Sequence, residues 1–162
     1  MKTFAIFCIS LILGSASLSA EVEVVFENPS VFRDIDFRYQ GNRQGQKVYL
    51  PEIEQYILKQ GKKCLLDGQS LKMTITDIDL AGEFEGWRPL PWDDVRIVKG
   101  IYPPRMTFSF ELLAEDGTVL KSGEEHLVDL NFDFRVRTNN IDDLYYEKAM
   151  IRDWLQQLNS ED

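Results

Sequence analysis

The sequence predicts an α+β domain in two layers, a four-stranded and mostly antiparallel sheet carrying two helices on one face. Three observations predict it. Apolar and polar residues alternate over residues 22–26, 71–75 and 106–112, the period of two expected of strands with one buried face. Two other stretches place apolar residues at helical spacing, Ile53 and Ile57 with Tyr56, and Leu144, Ile151, Leu155 and Leu158 with Trp154. The order strand, helix, strand, strand, strand, helix then favours a layer of sheet under a layer of helix.

The first strand covers residues 22–27, where Val22, Val24 and Phe26 share a face and Asn28-Pro29 ends the run. Residues 30–46 mix aromatics with Arg, Asp, Gly and Asn without a period and are expected to be an irregular loop. A helix follows over residues 48–63, with Pro51 in its first turn, Glu52 and Glu54 at the positive end of its dipole, and the Gly61-Lys62-Lys63 region as its cap. Its buried side is expected to run through Ile53, Ile57, Gln60 and Cys64. Asp67-Gly68 turns the chain into the second strand, residues 70–80.

That strand contradicts itself. Leu71, Met73 and Ile75 lie on one face, whereas Ile78 and Leu80 fall on the opposite parity. Either a bulge inserts one residue and returns Ile78 and Leu80 to the core, or Asp77 and Asp79 continue on the core side at the end of the sheet. Residues 82–105 form a long connection with four prolines and two tryptophans, interrupted by a short extended piece at residues 95–98. Residues 106–112, the Asp116-Gly117 turn and residues 118–130 make the clearest hairpin. Asn140 is a good N-cap for a second helix over residues 141–158.

Residues 1–20 read as a secretory signal: Lys2, then an apolar run through Leu13, then small and polar residues up to Ala20. Residues 21–162 would be one domain, exported to the periplasm. Cys8 follows Phe7 inside the apolar run, so a lipid anchor is not expected, and no stretch is long enough for a membrane span. With Lys2 removed, 17 basic side chains face 27 acidic ones, a formal charge of −10. Such a field repels nucleic acid and anionic lipid unless cations are concentrated, and the arginines and lysines are scattered. Cys64 remains without a disulfide partner and is expected to be a buried, inert thiol.

The candidate chemistry gathers around the self-contradicting strand. Asp77, Asp79 and Gly82 match positions one, three and six of an EF-hand loop, but position five is Ala81 and position twelve is Arg88, so that motif fails. Asp77, Asp79 and Glu83, with Asp129 of the hairpin, remain as a carboxylate cluster suited to a cation or to acid and base chemistry, against a structural reading as acceptors for backbone N–H groups. His126 is alone, which leaves no multi-histidine metal site, and no nucleophile motif or phosphate-binding glycine loop is present. Trp87 and Trp92, framed by Phe84, Pro89, Pro91 and Tyr102, are expected to close over the sheet as a lid; the alternative is an exposed surface that stacks on sugars or anchors a protein.

The run Thr-Asp-Ile-Asp-Leu-Ala-Gly-Glu at 76–83, Tyr-Pro-Pro-Arg at 102–105, Tyr-Glu-Lys at 146–148 and Trp154 carry a resemblance. The opening Val-Phe-Glu-Asn-Pro and the Phe-Arg-Asp-Ile at 32–35 extend it over nearly all of the exported chain. The chain resembles an exported proteobacterial family known as a domain of unknown function, number three thousand and sixteen in that series. The resemblance implies a periplasmic single-domain protein and supplies no reaction, ligand or catalytic residue. The expectation is therefore a non-enzymatic binding or interaction module of the cell envelope, without a cofactor, meeting an envelope protein partner through Asp77, Asp79, Glu83, Trp87 and Trp92. The alternative is a metal-dependent or carboxylate-based protein using Asp77, Asp79 and Glu83.

Overall fold

The computed structural model, which describes residues 20–35, 44–90, 95–136 and 142–160, has the expected α+β class with two helices and a four-stranded sheet. In chain order the elements are β1 (Glu21–Phe26), α1 (Gln44–Cys64), β2 (Ser70–Asp79), β3 (Glu83–Phe84), β4 (Arg96–Ile97), β5 (Arg105–Leu113), β6 (Val119–Val128) and α2 (Tyr145–Gln157). The main sheet runs β1-β2-β5-β6, and β3 pairs with β4 in a small second sheet. The main sheet is mixed, not mostly antiparallel as the sequence suggests. β1 lies parallel to β2, while β2–β5 and β5–β6 are antiparallel. The parallel pair follows from α1, because a strand that crosses over through a helix re-enters the sheet in the same direction.

The second strand resolves its contradiction with a bulge. The register pairs Ile75 with Phe108 and Asp77 with Thr107, leaving Thr76 as the extra residue. Leu71, Met73, Ile75, Ile78 and Leu80 are consequently all buried on one face, opposite Leu112, Phe110, Phe108 and Met106 of β5. Both helices cover that face. Ile53 and Ile57 of α1 and Ile151, Trp154 and Leu155 of α2 belong to the same apolar cluster. Phe108 and Phe110 meet the Trp154 ring edge-on, with centroids 4.8 and 5.1 Å apart. The other face of the sheet carries Lys72, Thr74, Thr107, Ser109, Glu111, Ser122 and Glu124 toward solvent.

Several boundaries differ from those the sequence suggests, for physical reasons. α1 begins at Gln44, which puts Pro51 in the helix interior and deprives the Lys47 carbonyl of its intrahelical donor. Gly61 is no cap. It continues the buried stripe after Ile57, and a Cβ there would stand 2.9 Å from Val22 Cγ2, so glycine is what lets α1 lie against β1. The stripe therefore passes through Gly61, and Gln60 and Cys64 are only half-buried. α2 starts at Tyr145, with Asp142 Oδ1 accepting the Leu144 N–H at 3.0 Å; Asn140 lies outside the described residues.

The bulge makes a sharp expectation about stability. Deleting Thr76 would turn Ile78 and Leu80 to solvent and bury two aspartates, and should abolish cooperative unfolding. Thr76→Ala keeps the register and removes one exposed hydrogen bond, to the Thr107 carbonyl at 3.2 Å. It should cost only about 0.5–1 kcal/mol in urea denaturation.

Candidate functional site

The bulge also decides where the acidic residues go. With Ile78 and Leu80 returned to the core, Asp77 and Asp79 project from the opposite face at the end of β2, across from Thr107 and Arg105. Asp79 accepts from Arg105 Nη1 at 2.8 Å and lies 3.6 Å from Arg33 Nη1. Asp77 Oδ1 accepts the Arg33 backbone N–H at 2.7 Å. The two carboxylates are thus brought together on one face, but each is already engaged. Glu83 is not part of that pair: it sits on β3 beyond Gly82, exposed, with Oε1 accepting the neighbouring Phe84 N–H at 2.9 Å. Asp129 holds Arg135 at 2.5 Å and the Asn131 N–H at 3.1 Å.

Arginine partners remove the mutual repulsion that would otherwise favour a cation at these acids. Among the described residues no group of three or more His, Cys, Asp or Glu is arranged to hold a metal ion. His126 is exposed on β6, with Nδ1 2.7 Å from Thr107 Oγ1.

What the acids do hold is the chain around them. After its detour through the 3-10 turn Pro29–Val31, the segment that follows β1 returns beside β2. There the Asp34 N–H donates to the Ile78 carbonyl at 3.1 Å, and the Leu80 N–H donates to the Asp34 carbonyl at 3.0 Å. The Asp34 carboxylate is gripped at both oxygens by Arg96 of β4, at 2.6 and 2.8 Å. Arg96 also donates to the Gly82 carbonyl at 3.1 Å and lies over the Phe84 ring, 4.6 Å from its centroid.

Each residue of Asp-Leu-Ala-Gly then has a separate structural task. Asp79 is ion-paired, Leu80 is in the core, and Ala81 packs on Phe132 and Tyr146. Gly82 has φ +90°, and a Cβ there would stand 2.9 Å from the Ile97 carbonyl oxygen. Its N–H donates to the Tyr102 carbonyl at 3.0 Å, which closes the base of the long connection.

Two buried glutamates, neither singled out by the sequence reading, sit on this frame with opposite electrostatics. Glu85, 1% exposed, accepts from Lys99 Nζ, from Arg88 Nε at 2.6 Å and from Tyr102 Oη at 3.2 Å. Those donors, Lys99 foremost, hold its carboxyl down to about 2 despite burial. Glu147 of α2, also 1% exposed, accepts the Ala81 N–H at 2.7 Å through Oε1, while Oε2 is buried without a hydrogen-bond partner among the described residues. Burial pushes Glu147 up to about 7, against the lowering effects of the Ala81 N–H and Arg96, with Asp142 adding to the rise. Glu147 carried a legible signal. It interrupts the stripe Leu144, Ile151, Leu155, Leu158 at a position that faces the core.

Trp87 does not close over the sheet. It is 74% exposed, beside Leu90 at 83%, whereas Phe84 of the same connection is buried. Trp92 lies outside the described residues. Ile101 of the same connection, and Leu130, Phe134 and Val136 after β6, are also exposed. Both segments leave the sheet at the end where Asp79 pairs with Arg105 and Arg105 with Val128. They pack together at Ala81 and Phe132 and at Gly100, where a Cβ would meet Asp133 Oδ2 at 2.6 Å. One end of the molecule therefore presents several large apolar side chains on a braced base.

The two glutamates make the stability depend on pH in opposite directions. Glu147 keeps its proton in the folded state up to about 7, whereas in the unfolded chain it loses it near 4.5, so between these values the folded state binds more protons and its stability falls as pH rises. The fall amounts to about 3 kcal/mol. Glu85 contributes stability above 4.5 that is lost as pH drops toward 2. Urea denaturation between pH 4.5 and 8 should show Glu147→Gln losing the downward slope that the wild type displays there, and the idea fails if both proteins share one slope.

No curated protein and no solved structure matches the chain. No helix among the described residues is long and apolar enough to cross a membrane. The model of a family described as Protein of unknown function (DUF3016) matches residues 20–157, from the start of β1 to the end of α2 and across every element that builds the strand-end frame. The chain belongs to that family, DUF3016.

Proposed function

We propose that the protein is a non-enzymatic binding module of the cell envelope, exported by its N-terminal signal, and that it meets a protein partner through the loop end of the sheet around Trp87. One observation carries this reading: Trp87 and Leu90 are exposed on a connection whose base is fixed by ion pairs to the part-buried Asp34 and the buried Glu85. A loop that merely covered a core would turn its largest apolar side chains inward. Here Phe84 does so and Trp87 does not. Holding Trp87 on a braced base lowers the ordering cost of binding, and tryptophan is among the residues that most often dominate interface energetics. Asp77, Asp79 and Glu83 enter this reading as the polar rim and frame beside that surface. Their pairing with Arg33, Arg105 and backbone N–H groups supports a structural task better than a cation site.

The test compares wild type with Trp87→Ala/Leu90→Ala as immobilised bait for an envelope extract. Because both side chains are exposed, the variant's unfolding free energy should stay within about 0.5 kcal/mol of wild type. A partner retained by wild type should bind the variant at least about 30-fold more weakly, the loss expected of one hot-spot residue. Identical retention of every partner would remove this surface from consideration.

A further inference from the structure

β6 is the outer strand of the main sheet, and its other side meets no strand among the described residues. All ten of its residues are exposed or half-exposed, including Val119, Leu120 and Val128. A long open edge is ordinarily blunted by a proline, a covering loop, a bulge or a charge with no complement; the one bulge of β6, at Leu120, lies near its start and leaves Lys121 to Val128 in regular register. This edge has no proline, and its charges are complementary to themselves. Lys121 and Glu125 lie two residues either side of Gly123 on the face that the helices cover, and Ser122 and Glu124 flank Gly123 on the other face.

An antiparallel pairing of two β6 strands about a two-fold axis through Gly123 sets Lys121 of each copy opposite Glu125 of the other. It sets Ser122 opposite Glu124, within the stretch beyond Leu120 where β6 pairs regularly with β5. Shifting the axis by one residue toward Glu124 puts glutamate opposite glutamate, and shifting it toward Ser122 leaves Lys121 opposite glycine. The chain offers these two charges no alternative. Lys121 faces Leu112 and Glu125 faces Phe108 across the ladder, and neither makes an ion pair among the described residues.

Gly123 points the same way. A glycine inside a strand costs stability and usually marks a special backbone angle or a close approach. Its φ is not positive, and a Cβ there would meet the Phe110 ring at 3.4 Å, so among the described residues neither backbone angle nor crowding requires glycine. On the two-fold axis the residue stands directly opposite its own copy, and glycine there sets no side chain against itself.

We infer that β6 is a self-association edge, through which a second copy of this chain pairs antiparallel about Gly123 to form a continuous eight-stranded sheet. Because the pairing is antiparallel, the two Trp87-bearing ends lie at opposite ends of that sheet, free to engage partners separately. The inference stands on the edge alone and does not depend on the binding reading of the loop end.

Sedimentation velocity on the purified protein tests it. The expected result is a monomer–dimer equilibrium, with K121E and E125K each weakening dimerisation about tenfold or more, since each change places like charges opposite at two symmetry-related positions. The double exchange K121E/E125K should restore association to within about threefold of wild type. Both positions are exposed or half-exposed, and unchanged circular dichroism would show that each variant is folded. A wild type that stays monomeric at about 100 µM overturns the inference, as that concentration exceeds the dissociation constant of any standard specific interface. So does a dimer indifferent to K121E, or one that the double exchange fails to restore.

Discussion

The extra residue at Thr76 is the constraint on which the rest of the structure depends. Before it, β2 buries Leu71, Met73 and Ile75; after it, the same face takes Ile78 and Leu80. A strand alternates strictly, so without the insertion either those two residues or the first three would face water. The insertion also breaks the ladder locally, and the segment ending at Asp34 returns to β2 directly beyond the break, as shown by its bonds to the Ile78 carbonyl and the Leu80 N–H. One added residue thus sets the core, turns two aspartates outward and provides the landing site for residues 33–35.

Ion pairs then fasten the long connection to that end of the sheet. Arg96 grips Asp34, 62 residues away, with both side chains largely withdrawn from water, and Lys99 and Arg88 reach from the surface to the buried Glu85. Pairs of this kind gain little over an apolar replacement, but losing one partner strands a buried charge. They therefore specify one loop geometry more than they add stability. Glu147 is the counterexample within the same frame, a carboxyl with one satisfied oxygen and one orphan, which burial keeps protonated toward neutral pH. It ties α2 to Ala81 through a single backbone N–H, so the helix layer and the strand-end loop share a protonation state.

The functional consequence is a division of surfaces. The helix-covered face is spent on the core, and the opposite face is a polar, solvated expanse. What remains distinctive is the loop end, with large apolar side chains held outward on a fixed base, and the open edge of β6. The first has the character of a recognition surface for a partner of different chemistry. The second has a charge pattern that complements itself.

Local periodicity settled much of this in advance. The strand of residues 106–112, its Asp116-Gly117 hairpin, the two helices and the α+β class follow from side-chain alternation and spacing, which act over a few residues and so are legible in sequence. The parity conflict in β2 was legible too, as a conflict, and the glutamate in the α2 stripe was visible in the same way. Its solution was not, because whether a bulge forms depends on β5 supplying Phe108 and Thr107 as partners for Ile75 and Asp77 from far along the chain. The same holds for Asp34 with Arg96, for the start of α1 ahead of Pro51, and for the outward turn of Trp87. Each was decided by which distant groups arrive to bury an apolar surface or neutralise a charge, energies that come into being only when the chain has closed on itself.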